Sequence, residues 1–205
     1  MRLCWFPWLL AIACSAQTPP FSHRLHLTLG LQCLGCHASA ATSTQAADNN
    51  LPQPQACVKC HASVTIPPPP QTLVTHFSHR QHLQMGNIAR LLARAIDSKN
   101  YLSSPGNIRQ YLDSANACTA CHRGMEVSDA VTPAAMPQMA DCLVCHAKID
   151  NPFSCETCHA ADAALKPASH TADYLERHSR PAEKLDKPSC AVCHGRRFTC
   201  LGCHS

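Results

Sequence analysis

The chain has 205 residues and a formal net charge of +4, with 16 Cys, 14 His and 16 Pro against 7 Gly. Aromatic residues make up 5% and charged residues 15%, the latter against roughly 25% in an average globular chain. So few large side chains exclude a conventional α/β enzyme, a coiled coil and a transmembrane bundle. The small charge, whose sole Arg-Arg pair is Arg196-Arg197, excludes a nucleic-acid-binding surface.

Residues 1–16 read as a signal peptide: Met1-Arg2 is the positive region and Leu3 to Ala13 the apolar one. The apolar run is too short to span a bilayer. Cys14-Ser15-Ala16 suits ordinary cleavage before Gln17, whereas Ala11-Ile12-Ala13-Cys14 resembles a lipobox that would make Cys14 a lipid-anchored first residue. Both readings place the protein outside the cytoplasm, in the periplasm or on the outer, cell-surface side. It is expected there without a transmembrane span, soluble or lipid-anchored.

Cysteines in an exported chain normally imply disulfides, but their spacing here is of another kind. Fourteen of the sixteen fall in seven copies of C-x-x-C-H. In chain order these are Cys33/Cys36/His37, Cys57/Cys60/His61, Cys118/Cys121/His122, Cys142/Cys145/His146, Cys155/Cys158/His159, Cys190/Cys193/His194 and Cys200/Cys203/His204. Cys4 and Cys14 remain, both in the signal region. This is the attachment signature of c-type haem. Thiols at i and i+3 share one face of a helical turn and can add across the two vinyl groups of a porphyrin edge. The histidine at i+4 then reaches the iron as its proximal ligand.

Zinc is the main competing reading, since C-x-x-C pairs also build zinc ribbons. Zinc does not require His after the second Cys, and chance would place one there about 7% of the time, or in all seven about once in a hundred million. Seven covalently bound haems c are therefore expected.

Seven further histidines lie outside the motifs: His23, His26, His76, His79, His82, His170 and His178. Two precede the first two motifs, three precede the next three, and two precede the last two. All seven are candidate distal iron ligands, so each block can supply its own. Met136 and Met139 are the alternative ligand pair, more readily assigned to packing against porphyrin. Bis-histidine ligation leaves each iron six-coordinate, low-spin and low in potential.

The blocks give a domain plan: a dihaem block at 17–66, a Pro-rich linker at 67–75, a trihaem block at 76–160 and a C-terminal dihaem block at 161–205. Residues 38–56 read as irregular, Pro67 to Pro70 as a stiff polyproline spacer, and 160–188 as a bridge to the last block. The segment Phe21 to Gly30 repeats as Phe77 to Gly86 with seven of ten positions identical. Met85, Ile88, Leu91, Leu92, Ala95 and Ile96 predict a helix over 84–97, and Ile108, Tyr111, Leu112 and Ala115 a second one leading to Cys118. Both stripes are expected to pack on haem faces. A mature chain of about 27 residues per haem cannot bury each porphyrin separately. The expected fold is mostly irregular with few short α-helices, the polypeptide wrapped around a stacked haem core.

The F-S-H-x-x-H segments ahead of C-x-x-C-H motifs, with so few residues per haem, resemble the class III multihaem cytochromes c and their small trihaem and tetrahaem periplasmic relatives. The resemblance implies a periplasmic or surface electron carrier with bis-histidine haems, and it does not fix which histidine pairs with which haem. The leading expectation is electron transfer, not catalysis, between a donor and an acceptor redox protein. A multihaem reductase would need one open iron, often marked by C-x-x-C-K, which does not occur. A subunit of a larger membrane redox complex shares the same chemistry. Fourteen propionates set against +4, or +3 once Arg2 is removed, would make the reduced holoprotein acidic.

Overall fold

The computed structural model describes residues 21–69, 71–149, 154–178, 180 and 186–201, with the main chain alone at 187 and 196–201. The signal segment with Cys14, and the pair Cys203 and His204, lie outside these residues. Most of the described chain is irregular. Eight helices interrupt it: α1 (His23–Thr28), α2 (Cys33–Cys36), α3 (Pro54–Cys57), α4 (His79–Gln84), α5 (Ala89–Asp97), α6 (Met139–Ile149), α7 (Tyr174–Arg177) and α8 (Lys187–Leu201), the last broken at Gly195. Among the described residues there is no strand, and Val74 and His159 form an isolated antiparallel bridge.

Residues 21–30 and 77–86 fold alike for reasons readable in their side chains. Ser22 and Ser78 cap α1 and α4 by accepting from the amides of Leu25 (3.1 Å) and Gln81 (3.3 Å). Gly30 and Gly86 end the two segments at φ +82° and +78°, a left-handed conformation that costs glycine little. The likeness continues further on. Residues 33–61 align without a gap on residues 118–146, matching both motifs together with Ser43/Ser128, Pro52/Pro137 and Gln53/Gln138. The chain thus contains two copies of one module, and residues 87–115 are an insertion within the second.

The copies hold each other reciprocally. The Arg24 amide donates to Ser128 O at 3.0 Å, and the Arg80 amide, its equivalent, donates to Ser43 O at 2.9 Å. α1 packs against the 3-10 turn Met125–Val127, and α4 against the 3-10 turn Ala38–Ala41. Residue i of one copy touching j of the other, and j touching i, is the pattern of a two-fold contact.

The insertion supplies the small apolar core. Ala89, Leu92 and Ala93 of α5 pack with Leu112 and with Ala120 of motif three. The helix is shorter than its periodicity predicts. Gly86 ends α4, the Asn87 side chain caps the next turn by accepting from the Ala89 amide (2.9 Å), and Met85 is left 64% exposed. Leu91 faces outward, and the second predicted helix is a 3-10 turn, Ile108–Tyr111. The two stripes meet through Leu92 and Leu112 and through Ile96 and Ile108.

Motif three is tied to motif four by a buried ion pair. Arg123 Nη1 donates to Asp141 Oδ2 at 2.7 Å, with both side chains at most 4% exposed. Tyr101 Oη donates to Asp141 Oδ1 (2.8 Å), and the Gln138 amide donates to Oδ2 (2.6 Å) as α6 begins. Burial, and then the carboxylate, push the Tyr101 phenol far above its ordinary value. Pro67 to Pro69 are exposed.

Candidate haem-ligand sites

Among the described residues, the first six motifs each make one helical turn. The amide of the motif histidine donates back to the carbonyl of the first cysteine at His37 (2.8 Å), His61 (3.0 Å), His122 (2.9 Å) and His159 (3.0 Å). Motif four lies within α6, motif six lies within α8, and the main chain of Cys200 continues α8. The turn puts both thiols on one side and the imidazole just beyond them. None of the twelve cysteines with described side chains (Cys33, Cys36, Cys57, Cys60, Cys118, Cys121, Cys142, Cys145, Cys155, Cys158, Cys190 and Cys193) is in a disulfide. Burial pushes the thiols of Cys121 and Cys142 up to about 11, the Asp141 charge adding to it.

The imidazoles come in pairs, one from a motif and one from outside. Ring centres are 6.3 Å apart for His23 and His37, 6.1 Å for His26 and His61, 6.3 Å for His82 and His146, and 6.1 Å for His170 and His194. Interplanar angles range from 11° to 41° while the distance stays constant. Rings in direct contact sit closer, as Phe21 does on His26 (4.4 Å) and Phe77 on His82 (4.5 Å). Two imidazoles bound end-on from opposite sides of one metal, each at about 2 Å, would have ring centres about 6 Å apart. The pairs therefore fit an axial ligand set.

Hydrogen bonds fix which nitrogen is offered. Nδ1 meets a main-chain carbonyl at His26 (Ser22, 2.7 Å), His37 (Asn50, 2.7 Å), His82 (Ser78, 2.8 Å), His159 (Leu73, 2.9 Å) and His178 (Leu175, 2.7 Å). Only a protonated Nδ1 can donate to a carbonyl, so Nε2 carries the lone pair. Ligating histidines are held in this way, which sets both tautomer and ring plane. The aromatic neighbours do the rest. Phe21 meets His23 edge-on at 4.8 Å, Phe77 meets His79 edge-on at 4.8 Å, and Tyr174 stacks on His170 at 4.6 Å and on His178 at 5.5 Å.

His79 and His122 are the module equivalents of His23 and His37, and His122 feels the charges of both His79 and His37. Burial, ahead of any charge, lowers His122 to about 4 and holds His23 and His79 below the ordinary imidazole value. They are thus neutral, the form that binds metal. His76 is placed beside motif five, where its amide and that of Thr75 donate to Cys158 O at 3.2 and 2.8 Å. His204 and Cys203 lie outside the described residues.

Among the described residues no three His, Cys, Asp or Glu side chains converge as a cluster metal site requires. No helix there is long and apolar enough to cross a membrane. Ser22, Ser78, Asn50, Leu73 and Tyr174 hold these histidines without belonging to any motif. In the sequence, their one signal was the repeat that contains the two serines. No protein family, curated protein or solved structure matches this chain.

Proposed function

We propose that the chain is a heptahaem c-type cytochrome that relays electrons between a donor and an acceptor redox protein outside the cytoplasm. The observation that carries this reading is the constant 6.1–6.3 Å spacing of four imidazole pairs, each joining a motif histidine to one outside the motifs. Module equivalence makes His79 and His122 a fifth pair. His76 and His178 remain for the irons of His159 and His204.

The chain's residues have three tasks. Paired thiols at Cys33/Cys36 and its six counterparts would hold each haem by two thioethers, every S–H adding across a vinyl group with no leaving group. Two imidazoles would hold each iron, and the Nδ1–carbonyl bonds would keep their rings in place through a change of charge. Exposed apolar side chains near motifs one and two supply the cover: Leu25, Leu29, Leu31, Leu34 and Val58 are 45–70% exposed, more than a chain completing its own core would leave. Bound in this cage, haem supplies one-electron storage between ferric and ferrous iron. Irons held between two imidazoles would favour a carrier over a reductase, since no position would be left for a substrate.

The protein exported from a host that attaches haem c tests the reading by intact mass and metal analysis. Seven haems and seven irons per chain, with a low-spin ferric EPR spectrum, are expected. Zinc in place of iron, or a mass without haem, contradicts it.

A further inference from the structure

The two modules are not equal where their ligands are held. His37 Nδ1 donates to the carbonyl of Asn50, and His122 donates to that of Ala135, the equivalent residue. The Asn50 side chain faces His79 of the other module. The Asn50 amide lies 3.4 Å from His79 Nδ1. Ala135 offers its counterpart nothing, and the buried Nδ1 of His23 has no hydrogen-bond partner among the described residues.

An imidazole ligating through Nε2 keeps its proton on Nδ1, so the Asn50 group facing it must be the oxygen. Amide nitrogen and oxygen are interchangeable by a half-turn. That turn gives Oδ1, which has no partner in the opposite orientation, the His79 Nδ1–H as donor. The same loop carries Asp48, locked by the amides of Thr44 (2.9 Å) and Gln45 (3.0 Å), and its charge acts on His79. Pro133 stands at the equivalent position.

We infer that Asn50, with Asp48 behind it, is a positioning residue that lowers the reduction potential of the centre ligated by His79 and His122 below that of the centre ligated by His23 and His37. An accepted Nδ1 proton makes the imidazole a stronger donor, and a stronger axial donor stabilises ferric iron. The two centres are adjacent, because the first cysteines of their motifs are in contact. Electrons therefore run from the His79 centre to the His23 centre, and the asymmetry gives the otherwise two-fold core a direction. This inference rests on the haem reading above.

The test is a redox titration of the holoprotein followed through individually resolved haem methyl resonances. Asn50→Leu removes the acceptor at similar size, while Asn50→Asp keeps it and adds charge. Both leave the main-chain carbonyl that His37 uses. The expected result is an upward shift of the His79 centre with Leu and a downward shift with Asp, while the His170–His194 centre stays put. Shifts in the same direction, or none, overturn the inference, because a purely structural role would not change sign. Wild-type protein lacking haem in its intact mass overturns the underlying reading instead.

Discussion

Cys33 and Cys118, the first cysteines of equivalent motifs, lie side by side with their thiols hydrogen-bonded. Asn116 Nδ2 donates to Cys33 Sγ at 3.2 Å and holds the contact. A residue that meets its own equivalent marks the axis of a two-fold arrangement. From this contact the thiols interact in series, Cys118 with Cys121, Cys121 with Cys142, and Cys142 with Cys158. Motifs one, three, four and five thus lie near one another in the protein. Replacing Cys33 and Cys36 together by Ala is expected to remove one haem from the intact mass. The titration curve of the His79–His122 centre should shift more than that of the His170–His194 centre.

The pairing of His170 with His194 gives a direct prediction. His170→Ala should open one iron, producing a high-spin ferric EPR signal and carbon monoxide binding worth one haem. His170→Met should keep that iron six-coordinate and raise its potential. If both variants keep the wild-type EPR spectrum and titration curve, the ligand is a different histidine.

Asp141 is the residue whose loss should cost most in stability. It accepts from Arg123, Tyr101 and the Gln138 amide inside the protein. Asp141→Ala leaves the Arg123 charge buried and unpaired, which costs about 3–5 kcal/mol. The double variant Arg123→Met with Asp141→Leu removes both charges and should recover most of that. Thermal unfolding followed by circular dichroism reads the difference. A single variant as stable as wild type would show that the pair is not buried.

The module comparison predicts a gain as well as a loss. Ala135→Asn should give the partnerless Nδ1 of His23 an acceptor and lower the potential of the His23–His37 centre. That would narrow its gap from the His79–His122 centre in the same titration. An unchanged gap would mean that the side chain at 135 does not reach His23.

Much of the candidate site was legible in the residues themselves. The candidate attachment cysteines and motif histidines are read from a spacing local to one helical turn, so no tertiary knowledge is needed. Which outside histidine meets which motif histidine is different, because order along the chain does not set distance in space. His26 skips motif one to meet His61, and His82 skips motif three to meet His146. The duplicated module was written in the sequence too, but the insertion at 87–115 breaks the repeat between its first and second parts. Periodicity overran at Met85 because it has no term for Gly86, whose positive φ ends one helix before the next begins. Asn50 carries no motif signature at all, and its role appears once the fold sets it between His37 and His79.

Carbon monoxide binding to the dithionite-reduced holoprotein, followed in the Soret band, tests the central claim most directly. Seven irons each held between two imidazoles predict no spectral change. A change worth one haem or more would mean an open iron, contradicting the closed carrier and pointing to a site for substrate.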